Sequence, residues 1–351
     1  MFLIKKIHYV LFGFFFLCLF SLTSCSSKDS DIISTVYVGY DFANAVIGKD
    51  SNLTTELLVK PGVDIHSFEP SGVNIRSILN SKLFIYVGGE DDSAWVEKEI
   101  LPNLKESTKV INMFDCLRNK GVKLLGEETP ISAEDEEEHE HEHEHEHEHE
   151  EAEDEYDSHV WTSPKNAIII LEAIRDALIE IDMVEDSSGN IKYPNKDKYM
   201  ENTKKYVDSL TNIDSEIRNA VATARTNYMV VGDRFPLLYF VKEYGIEYDA
   251  AFSGCSSNKD ASNKTILSLA KDVVDHRLSY IFVIEMTSST VANAVKETVD
   301  SYISNKTYDG KSPEILTFYS MQNISKDDFQ KGYTYLDFMN KNIESLKLAL
   351  N

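Results

Sequence analysis

Apolar and polar positions follow two different periods along most of the chain. Short runs rich in β-branched and aromatic residues, typical of buried strands, alternate with longer runs whose apolar residues are three or four positions apart, typical of helices. The strand-like runs of the first half are STVYVGY (34–40), TTELLV (54–59), KLFIYVGG (82–89) and KVINMF (109–114). Because helical patterns separate them, the sequence predicts a parallel sheet covered by helices.

The second half repeats this alternation. Its strand-like runs are NYMVVG (227–232), IEYDAAF (246–252), LSYIFVIE (278–285) and EILTFY (314–319). Residues 196–225 lie between the halves and keep one helical pattern throughout, with apolar residues at Tyr199, Tyr206, Leu210, Ile213 and Ile217. We therefore predict an α/β fold of two lobes, residues 34–195 and 226–351, each a parallel sheet flanked by helices and joined by one long helix.

The first 24 residues have the pattern of a secretory signal peptide. Two lysines precede an apolar run, which ends in LTSC at residues 22–25. This tetrapeptide resembles the lipobox of bacterial lipoproteins, in which the signal is removed and the Cys carries diacylglycerol. Residues 25–33 would then be a tether, and the protein would lie outside the cytoplasm, anchored to the membrane through Cys25. The alternative is an uncleaved membrane anchor.

Net charge and sequence motifs argue against some classes of function, and the cysteine content is low. Residues 134–155 contain 15 acidic and no basic residues, so they account for 15 of the 24 net negative charges and leave −9 for the rest. No basic stripe remains to neutralise phosphates, which argues against nucleic acid as a partner. No Gly-rich loop follows a strand, so nucleotide binding has no support. Cys116 and Cys255 would remain after processing, either paired or free.

A segment within residues 134–155 alternates His with Glu. Its six histidines are His139, His141, His143, His145, His147 and His149. Both faces of such an alternation are polar, so the segment cannot bury a side and is predicted to be disordered. Imidazoles among carboxylates should hold several divalent ions weakly, which makes this His-rich loop a gathering site for metal. The alternative is a solvated acidic linker.

Outside the signal and the His-rich loop the chain has three histidines. His66 and His159 lie in loops next to regular elements, where ligand sites tend to form, whereas His276 stands at a helix end as a C-terminal cap. Two imidazoles and a carboxylate are a common set of zinc ligands. From the residues alone, surface or hydrogen-bonded histidines remain the simpler interpretation.

Three motifs resemble the metal-binding proteins of bacterial zinc and manganese ABC transporters. They are LLVKPGVDIHSFEPS around His66, DSHVWTSPKNA around His159, and KYMENTKKYVDSL on the long helix. They occur in the family's order and span nearly the whole mature chain, and a His-rich loop before the second motif is a mark of the zinc branch. The resemblance implies two α/β lobes bridged by one helix, with a metal ion between the lobes.

The resemblance also implies the metal ligands. His66 and His159 match the first two family ligands. Where zinc relatives place a His at the third position this chain reads VVGDRFPLLYF, so Asp233 is the nearest usable ligand, or alternatively only a cap of the helix predicted from Phe235. At the fourth position Tyr319, Ser320 and Gln322 are weak donors, and Glu285 is the reserve candidate.

These observations together predict a monomeric zinc-binding lipoprotein without catalytic activity. It would capture Zn²⁺ between its lobes and deliver the ion to an ABC transporter permease. Manganese is the alternative cargo, since hard oxygen donors favour Mn²⁺ and imidazoles favour Zn²⁺. A secreted zinc hydrolase is the alternative from another class, although no H-E-x-x-H motif supplies a helical base.

Overall fold

The computed structural model describes residues 29–126, 128, 130–131, 156–254 and 261–351. The predicted signal peptide, Cys25, the His-rich loop and Cys255 lie outside these residues. Among the described residues, no helix is both long and apolar enough to cross a membrane.

The first lobe contains a parallel sheet of four short strands. Their bounds are β1 Ile32–Ser34, β2 Thr55–Leu57, β3 Leu83–Tyr86 and β4 Lys109–Asn112, in the spatial order β2-β1-β3-β4. The helices of this lobe are α1 Tyr37–Ile47, α2 Gly72–Asn80, α3 Glu90–Trp95, α4 Met113–Asn119 and α5 Pro164–Ile181. Single turns at Ile65–Ser67 and Val160–Thr162 carry or adjoin the two candidate histidines.

Two of the predicted strand runs continue into a helix in the structure. The run 34–40 is not a strand: β1 ends at Ser34, and α1 begins at Tyr37. Tyr37 and Val38 are buried because α1 is enclosed by the sheet, by α5 and by the long helix, and this packing overrides their strand propensity. The run 109–114 is strand only to Asn112, whose side chain accepts a hydrogen bond from the Asp115 amide and starts α4.

The second lobe repeats the arrangement. Its strands are β7 Tyr228–Arg234, β8 Glu247–Phe252, β9 Tyr280–Ile284 and β10 Glu314–Phe318, all parallel in the order β10-β9-β7-β8. The covering helices are α7 Leu238–Tyr244, α8 Asn263–Asp275, α9 Thr290–Ser304, α10 Lys326–Lys331 and α11 Tyr335–Ala349. A small antiparallel pair, β5 Val184–Glu185 and β6 Ile191–Lys192, precedes the connector.

The connector is a single helix, α6, of 27 residues from Lys196 to Ala222. All five residues that define its apolar face in the sequence, Tyr199, Tyr206, Leu210, Ile213 and Ile217, are buried. They belong to one hydrophobic cluster that also contains Phe42 of the first lobe and Phe318 of the second. The two lobes and α6 therefore share a continuous core, which confirms the predicted fold class.

A buried carboxylate lies where both lobes meet α6. Asp41 of α1 is 8% exposed, and its Oδ2 accepts a 2.6 Å hydrogen bond from the Tyr206 hydroxyl and a 3.2 Å bond from the Tyr335 amide. Nearby, the Tyr37 hydroxyl donates to the Tyr333 carbonyl at 2.5 Å. One carboxylate thus ties α1, α6 and α11 together. Burial raises the pKa of Asp41 to about 6, although its two hydrogen bonds oppose the shift.

This pKa gives a prediction for the dependence of stability on pH. The folded state binds the Asp41 proton more tightly than the unfolded chain, so the contribution of Asp41 to the free energy of unfolding should fall as pH rises from about 4 to about 6.5 and then level off. Relative to Asp41→Asn, the wild type should lose roughly 2 kcal/mol across this range. Urea unfolding at a series of pH values measures this difference. Asp50→Asn, at an exposed position, controls for net charge, and parallel curves for wild type and Asp41→Asn would contradict the assignment.

Candidate metal centre

The candidate ligands of the second lobe lie at the carboxyl edge of its sheet. Asp233 is near the end of β7, and Glu285 directly follows β9, the neighbouring parallel strand. In the first lobe, the chain leaves β2 and reaches the Ile65–Ser67 turn that contains His66. Ligands of open α/β sheets bind in the crevice beyond the carboxyl ends of the strands, so both lobes present their candidates where a site is expected.

His159 is completely buried and is oriented by an acidic neighbour. One carboxylate oxygen of Asp157 accepts a 2.8 Å hydrogen bond from the His159 amide and lies 3.2 Å from His159 Nδ1. When Nδ1 carries the proton and donates it to Asp157, Nε2 is the basic nitrogen that can bind a metal ion. A carboxylate behind a ligating imidazole is the usual arrangement at zinc sites. Sequence reasoning missed Asp157, although an acid two residues before a loop His was a visible signal.

Asp233 does not cap a helix, so that alternative is wrong. The following helix begins only at Leu238, and its N-cap, Leu237, makes no side-chain bond. The Asp233 carboxylate instead accepts hydrogen bonds from the Arg234 amide at 2.8 Å, from the Ile284 amide at 3.1 Å and from the Thr287 hydroxyl. These bonds hold the carboxylate against the end of β9. Burial raises the pKa of Asp233 above its ordinary value despite them.

The end of β7 is irregular, and this irregularity positions Asp233. The register between β7 and β8 shifts between Val231 and Arg234, and such bulges redirect side chains next to functional sites. Gly232, within the shift, lies against α9: a Cβ atom added there would be 2.6 Å from the Ala292 Cα. A side chain at 232 has no room, so a histidine ligand cannot stand one residue before Asp233.

Glu285 is held by the loop that follows β10. Its two carboxylate oxygens accept hydrogen bonds from the Ser320 amide at 2.7 Å, the Ser320 hydroxyl at 2.8 Å and the Met321 amide at 2.9 Å. Burial outweighs these bonds and raises the pKa of Glu285 to about 7. Met286 and Met321, which lie in the loops after β9 and β10, have φ angles of 64° and 60°. Strained backbone therefore lies on both sides of the Glu285 carboxylate.

The same loop connects Glu285 to the His159 turn. Trp161 is buried, and its Nε1 donates a 2.8 Å hydrogen bond to the Ser320 carbonyl; its ring lies edge-on to the His159 ring at 5.7 Å. Ser320 therefore contacts Glu285 on one side and Trp161 on the other. Tyr319 has a different role, because its backbone pairs with the Asn342 side chain and its ring packs on Phe338.

The complete ligand set stays a prediction. Among the residues that the structure describes, no three His, Cys, Asp or Glu side chains are grouped so that they could hold a metal ion. The backbone of His66 is placed on its turn, His159 and Asp233 lie on opposite lobes, and Glu285 is linked to His159 through Ser320 and Trp161. Cys25, Cys255 and the His-rich loop, His139 to His149, lie outside the described residues.

His276 and Cys116 are not part of the candidate metal centre. His276 stands at the C-cap of α8, as predicted, and stacks on Tyr228 with 3.8 Å between ring centroids. Cys116 on α4 carries a free thiol, and burial raises its pKa to about 11, which leaves it protonated and a poor metal ligand at neutral pH.

Comparison with known proteins decides the family. A family model described as zinc-uptake complex component A, periplasmic (ZnuA), matches residues 32–349. The chain belongs to the ZnuA family. This confirms the resemblance to metal-binding transport proteins that the sequence motifs indicated.

Two curated relatives carry zinc in their names. The zinc-binding lipoprotein AdcA of Streptococcus pneumoniae is 27% identical over 337 residues, which cover 94% of this chain but only 59% of AdcA. The high-affinity zinc uptake system protein ZnuA of Bacillus subtilis is 28% identical over 319 residues, 91% of this chain and 87% of that protein. This ZnuA-family chain thus spans about three fifths of AdcA and most of the Bacillus protein.

A solved structure shows the same fold. The Zn(II)-bound ZnuA-like domain of Streptococcus pneumoniae AdcA superposes with a TM-score of 0.64 at 24% identity, over 92% of this chain and 99% of that domain. The two-lobed α/β architecture is therefore that of the ZnuA family.

The pairing of Asp157 with His159 can be tested directly. Asp157→Asn removes the negative charge behind the imidazole and should weaken zinc binding about 10- to 100-fold, because the ring loses its preferred tautomer and part of its basicity. Competition against a chromogenic zinc chelator measures the affinity. Asp309→Asn, at an exposed position at the opposite edge of the second lobe's sheet, is the matched control and should bind as wild type. Equal affinities for Asp157→Asn and wild type would show that Asp157 does not support a ligating imidazole.

Proposed function

We propose that this protein is an extracytoplasmic zinc-binding protein that captures Zn²⁺ between its lobes and delivers it to an ABC permease. The observation that carries the proposal is the buried His159, oriented by Asp157 and set against the second lobe through Trp161 and Ser320. The zinc named in its curated relatives supports the choice of cargo. The proposed ligands are His66, His159 and Asp233, with Glu285 as a fourth.

The donor types explain why zinc is preferred over manganese in this proposal. His159 offers an imidazole whose basicity Asp157 raises, and His66 would add a second; borderline-soft zinc favours such nitrogen donors. Asp233 and Glu285 are oxygen donors, which Mn²⁺ also accepts, and both are already held by several hydrogen bonds. Manganese therefore remains the second candidate cargo, and a direct competition separates the two.

Measurements of metal affinity test whether the tight zinc site lies between the lobes. A titration of residues 26–351 with zinc and manganese should show one tight zinc site, which survives deletion of 134–155 and is lost in His66→Ala and in His159→Ala. His276→Ala is the matched histidine control, because His276 is exposed at the end of α8. Zinc at 100 times its dissociation constant should also stabilise the fold by about 2.7 kcal/mol.

Deletion of the His-rich loop separates its role from that of the cleft. Several weak sites should disappear with residues 134–155 while the tight site remains, because alternating His and Glu bind divalent ions weakly in a segment without fixed geometry. Loss of all tight binding with the loop would place the site there and reject the cleft.

Membrane attachment is a further part of the proposal. Acylation of Cys25 would give the protein the acyl chains that stable anchoring requires, so Cys25→Ala should release it from the membrane fraction. Cell fractionation followed by immunoblotting measures the distribution. A variant that stays with the membrane would favour an uncleaved signal as the anchor.

A further inference from the structure

An ion pair joins the segment that bears His66 to the strand that bears Asp233. The Arg234 Nη2 lies 3.3 Å from the Asp64 Oδ2, with the two side chains 22% and 46% exposed. Asp64 precedes His66 by two residues, and Arg234 directly follows Asp233. The pair therefore connects the two lobes next to one proposed ligand from each.

Both ends of the pair are tied to the neighbouring ligand segment. The Asp64 carbonyl accepts hydrogen bonds from the Ser67 amide at 3.4 Å and the Ser67 hydroxyl at 3.0 Å, which closes the turn containing His66. At the other end, the Arg234 amide donates to the Asp233 carboxylate at 2.8 Å. A displacement of either charged residue would therefore move the backbone of a ligand segment with it.

A second contact crosses between the lobes beside the pair. The Gly62 amide donates a 2.9 Å hydrogen bond to the Ile324 carbonyl. Gly62 has a φ angle of +84°, and a Cβ atom added there would lie 3.3 Å from the Lys326 side chain, so the loop runs close to the start of α10. We call the Asp64–Arg234 ion pair and the Gly62–Ile324 hydrogen bond the cleft clasp.

Electrostatics gives the ion pair a second effect. A guanidinium next to Asp233 repels a divalent cation, and Asp64 offsets this repulsion by placing a carboxylate against Arg234. Loss of Asp64 alone would leave the positive charge of Arg234 uncompensated. Loss of Arg234 would remove both the repulsion and the link between the lobes. The two substitutions should therefore have different effects on metal binding.

We propose that Asp64 and Arg234 are positioning residues whose ion pair holds the His66 segment against the second lobe and slows the release of the metal ion. The inference rests on the proposed function, because it names how the same cleft retains its cargo. Neither residue needs to contact the metal.

Zinc release from the full mature chain tests the proposal. After mixing the zinc-loaded protein with excess chromogenic chelator, Arg234→Gln should release zinc about two- to fivefold faster than wild type, the range expected for loss of a partly exposed ion pair. Asp64→Asn should also release zinc faster than wild type. It should bind zinc more weakly than Arg234→Gln does, because it leaves the charge of Arg234 uncompensated. The double variant should be no faster than the faster single variant, because both remove the same interaction.

Lys60→Gln is the matched control for these substitutions. Lys60 lies in the same loop, but its ion-pair partner, Glu56 at 2.8 Å, belongs to the same lobe. Its release rate should equal that of wild type. Raising the salt concentration should speed release from wild type more than from Arg234→Gln, since the variant lacks the Asp64–Arg234 pair, whereas both proteins keep the Lys165–Glu243 and Lys242–Glu128 pairs between the lobes.

Hydrogen exchange in the metal-free protein tests the clasp independently of zinc. In Arg234→Gln, a peptide covering residues 58–68 should exchange faster, since the Gly62 amide loses the support of the adjacent pair. The proposal is overturned if Arg234→Gln changes neither the exchange of this peptide nor the release rate of zinc. The zinc function would still stand in that case, provided that the wild type binds zinc tightly. If wild type binds no zinc, the function fails, and exchange alone decides whether the clasp exists.

Discussion

The packing of α6 against both lobes is the constraint on which the rest of the structure depends. Its apolar face enters a core shared with Phe42 of the first lobe and Phe318 of the second, so neither lobe can turn away without opening that core. Asp41 adds a polar junction at the same place, with Tyr206 on α6 and Tyr335 on α11 as donors. The relative position of the lobes is therefore fixed largely by side-chain packing, and the loops beyond the carboxyl ends of the strands are the parts left to adjust.

The two carboxylates of the candidate metal centre are already engaged by several protein donors. Asp233 accepts three hydrogen bonds and Glu285 also three, mostly from backbone amides at the ends of β7, β9 and β10. These donors hold each carboxylate in place. They also withdraw electron density from the carboxylate oxygens, which makes the oxygens weaker donors to a cation. Burial raises the pKa of both groups, so the ionised form of each carboxylate is less favoured than it would be in water.

The sequence was sufficient for the lobes, the long helix and the two histidine motifs, because each depends on local periodicity or on a contiguous motif. It failed where packing decides: the run 34–40 has strand propensity, yet α1 begins at Tyr37 because three neighbours enclose it. The links from Glu285 through Ser320 to Trp161 and from Asp64 to Arg234 join residues 35 to 170 positions apart. No periodicity in a single sequence contains that information. Asp157, only two residues from His159, could have been found.

The close approach of Gly232 to α9 limits which metal sites this scaffold can reach by mutation. A Cβ at that position would meet the backbone of Ala292, and trimming the Ala292 side chain would leave the Cα and amide atoms in the way. A side chain at position 232 would thus require α9 itself to shift, which truncation of Ala292 would not provide. In the proposed site, a further imidazole would therefore have to replace Asp233 itself or come from another strand, because position 232 cannot hold it.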